Sequence, residues 1–262
     1  MEVNNKTAPV TGQQDQNTIS LDLMNRMKLH GMAEAFRESL AGTTPQSMTA
    51  DTFLSMLLAR EWDYRAQAAI ARLTKNAAFR YKAYIEQVDY ATNRGLDRNQ
   101  MERLATLDFV HKAQNLFITG SSGTGKSYLA CALGQEACKR GFRTFYANAP
   151  KLFGALKVAK VKGTLETELK KIERCQLLIL DDLFIVPLDA KERPILLDII
   201  EDRHERKSII ITSQYPSSNW YDMVGEPTIA DAILDRIIHT AHTIKLYGES
   251  MRKLRSKKNG KF

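Results

Sequence analysis

The run Gly120-Ser121-Ser122-Gly123-Thr124-Gly125-Lys126-Ser127 fits G-x-x-x-x-G-K-[ST] without a mismatch. Glycines at that spacing let consecutive backbone N–H groups turn toward one phosphate, and a helix beginning where the loop ends adds the positive end of its dipole. Lys126 is placed to reach the β- and γ-phosphates, and the Ser127 hydroxyl to ligate Mg²⁺. Tyr128, next in line, completes the set of cofactor-binding candidates. The chemistry needs a second half, an acidic group at the end of another buried strand, and "LLILDD" supplies Asp181 and Asp182. Asp181 would hold the Mg²⁺ through its water shell while Asp182 polarises an attacking water. Taken singly, the first motif could be an ordinary glycine-rich turn and the second an acidic helix cap. Their flanks, apolar strand-like runs before both and a helix after the first, favour a P-loop NTPase site with Mg²⁺.

A paired acidic ending favours hydrolysis over phosphoryl transfer to a small metabolite, for which the sequence offers neither a recognisable acceptor pocket nor a lid. "IITSQ" puts Ser213 and Gln214 at the end of the next strand. Either side chain could sense a γ-phosphate there, or simply close the strand.

The elements that must carry these residues change character near Asn115. From Ile19 to about Val110 the apolar spacing is helical throughout. "SLDLMNRMKLHGMAEAFRESLAG" reads as one helix loosened in the middle by Gly31, "TTPQSM" as a turn, and "TADTFLSMLLAREWDYRAQAAIARLTK" as a longer helix capped by Thr49 or Asp51. Asp97 caps a further short helix. Beyond Asn115, "NLFIT", "RTFYANA", "CQLLILDD", "SIIITSQ" and "HTIKLYG" are apolar strands alternating with helices. That pattern predicts an α/β fold with a mostly parallel sheet covered on both faces. The expected organisation is a loose tail (1–18), an all-helical N-terminal domain (19–110), a nucleotide domain (111–250) and a basic tail (251–262).

The composition, 44% hydrophobic and 26% charged, suits a globular chain. No apolar run approaches the roughly 20 residues of a membrane span. The polar first 18 residues lack the charged start and apolar centre of a secretory signal, so a bacterial cytoplasmic protein without membrane contact is expected. Cys131, Cys138 and Cys175 form no C-x-x-C pair and have no His cluster beside them, and so read as buried thiols. The net charge of +8 favours a polyanionic partner. It is uneven: Arg65, Arg72, Lys75, Arg80 and Lys82 fall between Tyr64 and Ile85 with no acid among them. Lys157, Lys160 and Lys162 fall in an apparent loop before Gly163, and six basic residues follow Met251. Each cluster is a candidate for DNA phosphate contacts, which confer affinity and salt dependence with little sequence choice. Each could equally be a solvated face, loop or chain end.

"SSGTGKS", "LLILDD", "IITSQ", "TIADAILDRI" and "GESMRK", in this order and spacing, resemble the IstB-like ATP-binding proteins. These are AAA+ ATPase helpers encoded beside the transposase in IstA/IstB-type insertion sequences. "LHGMAEAF", "LLAREWDYR", "FRYKAYIEQVDY" and "RGLDRNQMERLATLDFV" resemble the helical half of the same family, so the likeness runs from about Ile19 to Lys253. It implies an AAA+ P-loop fold, ATP-dependent homo-oligomeric assembly on double-stranded DNA, and recruitment or stimulation of the transposase of the same insertion sequence during target selection. It also implies kinship with replicative helicase loaders, and a loader of host or phage is the alternative reading. A metabolite kinase, or a DNA-coating protein that uses ATP only as a clamp, stands further off. By the same resemblance Arg236 in "DAILDRI" is the arginine that completes a neighbouring subunit's ATP site, the alternative being a pair with Asp231 or Asp235 on its own helix. Arg252 in "GESMRK" is a candidate ATP sensor, and the 157–162 region faces nucleic acid in related assemblies. One departure stands out: relatives often carry an aromatic residue and then glycine after the acidic pair, whereas Leu183, Phe184 and Ile185 follow here. A less mobile loop is expected.

Overall fold

The structure is a computed structural model and describes residues 11–42, 48–239 and 241–258. The first ten residues, nearly all of the "TTPQSM" turn and the last four residues lie outside these. The chain forms two compact units, one up to Ala71 and one from Arg72.

In the first unit, α1 (Thr11–Arg26) and α2 (His30–Leu40) are separate helices, and α3 (Ala50–Ala77) begins here and runs on into the second unit. The described residues are therefore helical from Thr11, inside the expected tail. The break between α1 and α2 falls at 27–29 and not at Gly31. That glycine serves a different need: a Cβ on it would come within 2.4 Å of the Arg60 carbonyl oxygen and 2.8 Å of the Glu61 Cα. Only a residue without a side chain lets α2 approach α3 this closely. At the same crossing, Glu61 Oε2 accepts hydrogen bonds from the N–H groups of Gly31 (2.8 Å) and Met32 (3.2 Å). These are first-turn amides of α2 with no partner inside the helix.

The second unit holds the end of α3, then α4 (Arg98–Ala105), α5 (Asp108–His111), β1 (Leu116–Gly120), α6 (Lys126–Lys139), β2 (Thr144–Asn148), α7 (Ala149–Val161), α8 (Leu165–Glu173) and β3 (Leu177–Asp181). After these come α9 (Glu192–Arg203), β4 (Ser208–Ser213), α10 (Trp220–Val224), α11 (Pro227–Ile238), β5 (His242–Leu246) and α12 (Met251–Lys258). The five strands read from sequence are the five observed. All pair in parallel, in the order β2-β3-β4-β1-β5. Asp97 caps α4 as expected, its Oδ1 accepting from Asn99 N–H at 2.8 Å.

Side chains alternate along these strands, so the sheet feeds two cores. Phe117, Leu178, Leu180, Ile209 and Ile211 pack with α7, α9, α10 and α11. Leu116, Ile118, Leu177, Ile179, Ile210 and Ile244 pack with α6 and with Ala83, Met101, Leu104, Phe109 and Val110. Residues 72–110 thus belong to the sheet domain, covering one of its faces. The domain border expected near 110 does not coincide with the division at Ala71, because helical spacing shows which residues are apolar but not which surface they cover. The expected basic tail is likewise structured through Lys258, as α12. Among the described residues, no helix is long and apolar enough to cross a membrane.

Candidate functional site

The loop after β1 folds as its spacing requires. Gly120, Gly123 and Gly125 have φ of 144°, 85° and 101°, conformations that glycine adopts without steric cost. Lys126 opens α6, and its Nζ donates to the carbonyl oxygens of Gly120 (2.7 Å) and Ser121 (2.9 Å), arching over the loop. Burial pushes its ammonium below its ordinary pKa, with the charges of Asp182 and Asp181 opposing. A cavity of about 370 Å³ opens beside it, lined by Ser122, Gly123, Gly125, Lys126, Ser127 and Tyr128. Ser121 and Thr124 support the loop from behind: the buried Thr124 donates its hydroxyl to the Ser121 carbonyl at 2.9 Å.

The acidic pair ends β3. Asp181 is fully buried, with Oδ2 accepting from the Tyr146 hydroxyl and Oδ1 from the Thr212 hydroxyl, each at 2.6 Å. Burial and the Asp181 carboxylate raise the Tyr146 hydroxyl above its ordinary pKa, so it stays protonated and donates. Asp182, at φ 58°, turns away from the strand and lines the cavity. Its N–H donates to Thr212 Oγ1 (2.9 Å) and its Oδ2 accepts from Asn148 Nδ2 (3.2 Å). Burial first, then the charge of Asp181, raises its carboxyl above the ordinary value. The two carboxylates are therefore unequal: Asp182 is the one open to the cavity, and Asp181 stands behind it.

Segments distant in sequence close the cavity. Gln214 lines it, whereas Ser213 does not: that side chain is buried and accepts from Tyr215 N–H at 3.3 Å. Ser213 is the last residue of β4, and Gln214 follows it where the chain bends out of the sheet. "GESMRK" is explained by the loop itself. Met251 N–H donates to the Gly123 carbonyl at 2.9 Å, and a Cβ on Gly123 would meet Ser250 Oγ at 2.3 Å. The contact brings Arg252 into the cavity wall. The buried Arg94 donates to the carbonyl oxygens of Thr124 (2.7 Å) and Asp89 (2.9 Å).

Several expected DNA contacts are engaged elsewhere. Arg80 and Lys82, beyond the end of α3, line the cavity. Arg80 Nη1 stands 3.6 Å from Asp181 Oδ2 and 3.7 Å from Asp182 Oδ2. Lys157 lies within α7, not in a loop, and its Nζ binds Asp189 (2.8 Å) and Glu192 (2.7 Å). Arg65 pairs with Glu61 at 2.6 Å. Arg72, Lys75, Lys160 and Lys162 are exposed, Lys160 on α7 and Lys162 at its end. Arg236 lies outside the cavity lining. It pairs with neither Asp231 nor Asp235: its Nη2 meets Glu201 at 3.1 Å and its Nη1 donates to the Ala232 carbonyl at 2.7 Å.

Arg94, Tyr146, Asn148 and Thr212 escaped the sequence reading, and Arg80 entered it only as a candidate DNA contact. The available signal was weak, a polar residue inside an otherwise apolar strand for Tyr146 and Thr212. For Arg94 it was only the "NRG" turn.

A phosphate loop on an all-parallel sheet, with acidic residues on the strand two places away, defines a P-loop nucleotide-binding protein of the AAA+ type. The family model described as IstB-like ATP binding protein matches residues 22–259, and the chain belongs to that family. It is 43% identical over 240 residues to the insertion sequence ATP-binding protein y4pL of Sinorhizobium fredii, covering 92% of this chain and 98% of that one. To the ATP-binding protein of insertion sequence IS21 from Pseudomonas aeruginosa it is 32% identical over 238 residues, covering 91% and 90%. Among solved structures it resembles DnaI, with a TM-score of 0.56, 25% identity and coverage of 67% of this chain and 93% of that one. AMPPCP-bound DnaA from Aquifex aeolicus shares the fold, with a TM-score of 0.53, 23% identity and coverage of 70% and 57%.

Proposed function

We propose that this chain is a Mg²⁺-dependent ATPase of bacterial cytoplasm that oligomerises on duplex DNA in its ATP-bound form and delivers that DNA to the transposase of its insertion sequence. The observation that carries the reading is the convergence of Lys126, Ser127, Asp182, Gln214 and Arg252 on one cavity, in a chain whose relatives are insertion-sequence ATP-binding proteins over nearly their whole length. Bound Mg²⁺ supplies charge neutralisation to the triphosphate. Ser127, in the cavity lining, would hold it, and Asp181, buried behind Asp182 with one hydroxyl hydrogen bond on each oxygen, would act through its water shell. Lys126 holds the β- and γ-phosphates. Asp182 orients water and takes its proton, a role that its raised carboxyl pKa favours. Gln214 and Arg252 read the phosphate end. Arg236, outside its own cavity, serves a neighbouring subunit and must leave Glu201 to do so. Exposed Arg72, Lys75, Lys160 and Lys162 contact DNA phosphates.

A helicase loader would share this ATPase. The match to insertion-sequence proteins through residues 22–259, N-terminal helices included, favours the transposition partner.

The test is assembly on duplex DNA, followed by sedimentation with ATP, together with the rate of phosphate release. Lys126→Ala should lose both nucleotide binding and assembly. Asp182→Asn should assemble yet hydrolyse on the order of 100-fold more slowly and stay on the DNA. Wild-type hydrolysis in both variants, or assembly indifferent to ATP, would overturn the reading.

A further inference from the structure

Two adjacent carboxylates, one of them fully buried, require a cation nearby. Tyr146 and Thr212 give Asp181 hydrogen bonds but no charge, and Lys126 Nζ is directed to loop carbonyls. The charges of Lys126 and Arg252 also act on Asp182, but among the described residues the cation within ion-pair distance of both carboxylates is Arg80, a single guanidinium nitrogen of which stands 3.6 Å and 3.7 Å from them. These contacts are longer than a charge-assisted hydrogen bond of about 2.7–2.9 Å, and the Arg80 side chain is 43% exposed. The backbone around it is fixed: Ala83 is fully buried, and Phe79 packs against the same core. Arg80 is thus a partly exposed side chain on an anchored segment, its guanidinium 5.3 Å from the centre of the Tyr81 ring, and it reaches the carboxylates expected to attract a divalent ion.

We propose that Arg80 is a positioning residue, the built-in counter-cation of Asp181 and Asp182, and that it competes with Mg²⁺ for them and so sets the metal concentration at which nucleotide is held. The inference rests on reading the cavity as the nucleotide site. Two cations near one carboxylate repel each other, so a divalent ion can enter only as the guanidinium withdraws, and each then weakens the other's hold. Arg80 therefore raises the Mg²⁺ requirement while keeping the acidic pair compensated.

The experiment is a Mg²⁺ titration of binding of a fluorescent ADP analogue to the full-length chain, with Arg80→Gln and Arg80→Lys beside wild type and circular dichroism as a folding control. Arg80→Gln removes the charge at similar length. It should reach half-maximal metal-dependent binding at a Mg²⁺ concentration lower on the order of tenfold, and Arg80→Lys should restore the wild-type requirement. An unchanged or higher requirement in Arg80→Gln would overturn the proposal, as would a shift in Arg80→Lys equal to that of Arg80→Gln, since charge would then not be the cause. If wild type binds no nucleotide at saturating Mg²⁺, the site reading fails and the inference falls with it. Binding by wild type with no shift in the variants sinks the inference alone.

Discussion

Phe184 holds φ at 60°, the left-handed region, where a side chain costs about 1–2 kcal/mol. Family resemblance leads one to expect glycine at this position, and the backbone conformation is the one that glycine would adopt freely. The strain is offset by burial. Phe184 is 2% exposed, its ring 5.3 Å from that of Trp220, and burying such a ring contributes about 1.5–3 kcal/mol. Leu183 is buried beside it, while Ile185 is 41% exposed, so the two residues that follow the acidic pair are packed in core. The usual order of substitutions should therefore invert. Phe184→Ala keeps the strain and loses the ring, costing about 3–5 kcal/mol; Phe184→Gly loses the ring but relieves strain, and should cost about 1 kcal/mol less. Urea unfolding of the two variants measures the difference, and a glycine variant less stable than the alanine one would show that the φ carries no strain.

At the scale of elements, the crossing of α2 and α3 depends on one carboxylate. Burial would raise the Glu61 pKa, but the bond from Arg65 and the N–H bonds of Met32 and Gly31 outweigh it and hold the carboxyl below its ordinary value. A folded pKa below the unfolded one gives stability that is fully present above the unfolded value and is lost as pH falls through the folded one. Amides of α2 should thus exchange faster as pH drops below about 4.3, the reference value of a glutamate carboxyl, after correction for the intrinsic pH dependence of exchange. Glu61→Gln should flatten that acid response and lower protection by about 1–3 kcal/mol. An acid response unchanged in Glu61→Gln would remove Glu61 as its source. Sequence reading recognised α3 but merged α2 with α1 in one helix, and assigned Gly31 to flexibility. Close approach involves a partner some 30 positions away, which no local pattern records.

For the whole molecule, the division at Ala71 separates the part that holds the cavity from the part that does not. A ligand at 100 times its dissociation constant stabilises the fold that binds it by about 2.7 kcal/mol. In hydrogen exchange of the full chain, nucleotide with Mg²⁺ should raise protection at the 120–128 loop, around Asp182, near Arg94 and at the start of α12. Amides of α2 should be unaffected. Equal added protection in α2 would mean that the two units unfold as one.

The phosphate loop, the acidic pair and the five strands were legible because each is local. The loop is one contiguous run whose glycines answer a backbone demand, and each strand is an unbroken apolar stretch that can satisfy its polar backbone only inside a covered sheet. Tertiary structure alone decided which aspartate faces the cavity, why Gln214 and not Ser213 reaches it, and that Arg80 and Lys82 serve this cavity. It also brought Arg94 and the start of α12 to the loop, in segments bonded to each other through Tyr247 N–H and the Arg94 carbonyl. In each case the partner lies tens of residues away in sequence, and side-chain direction and charge pairing across such distances exist only once the chain has packed.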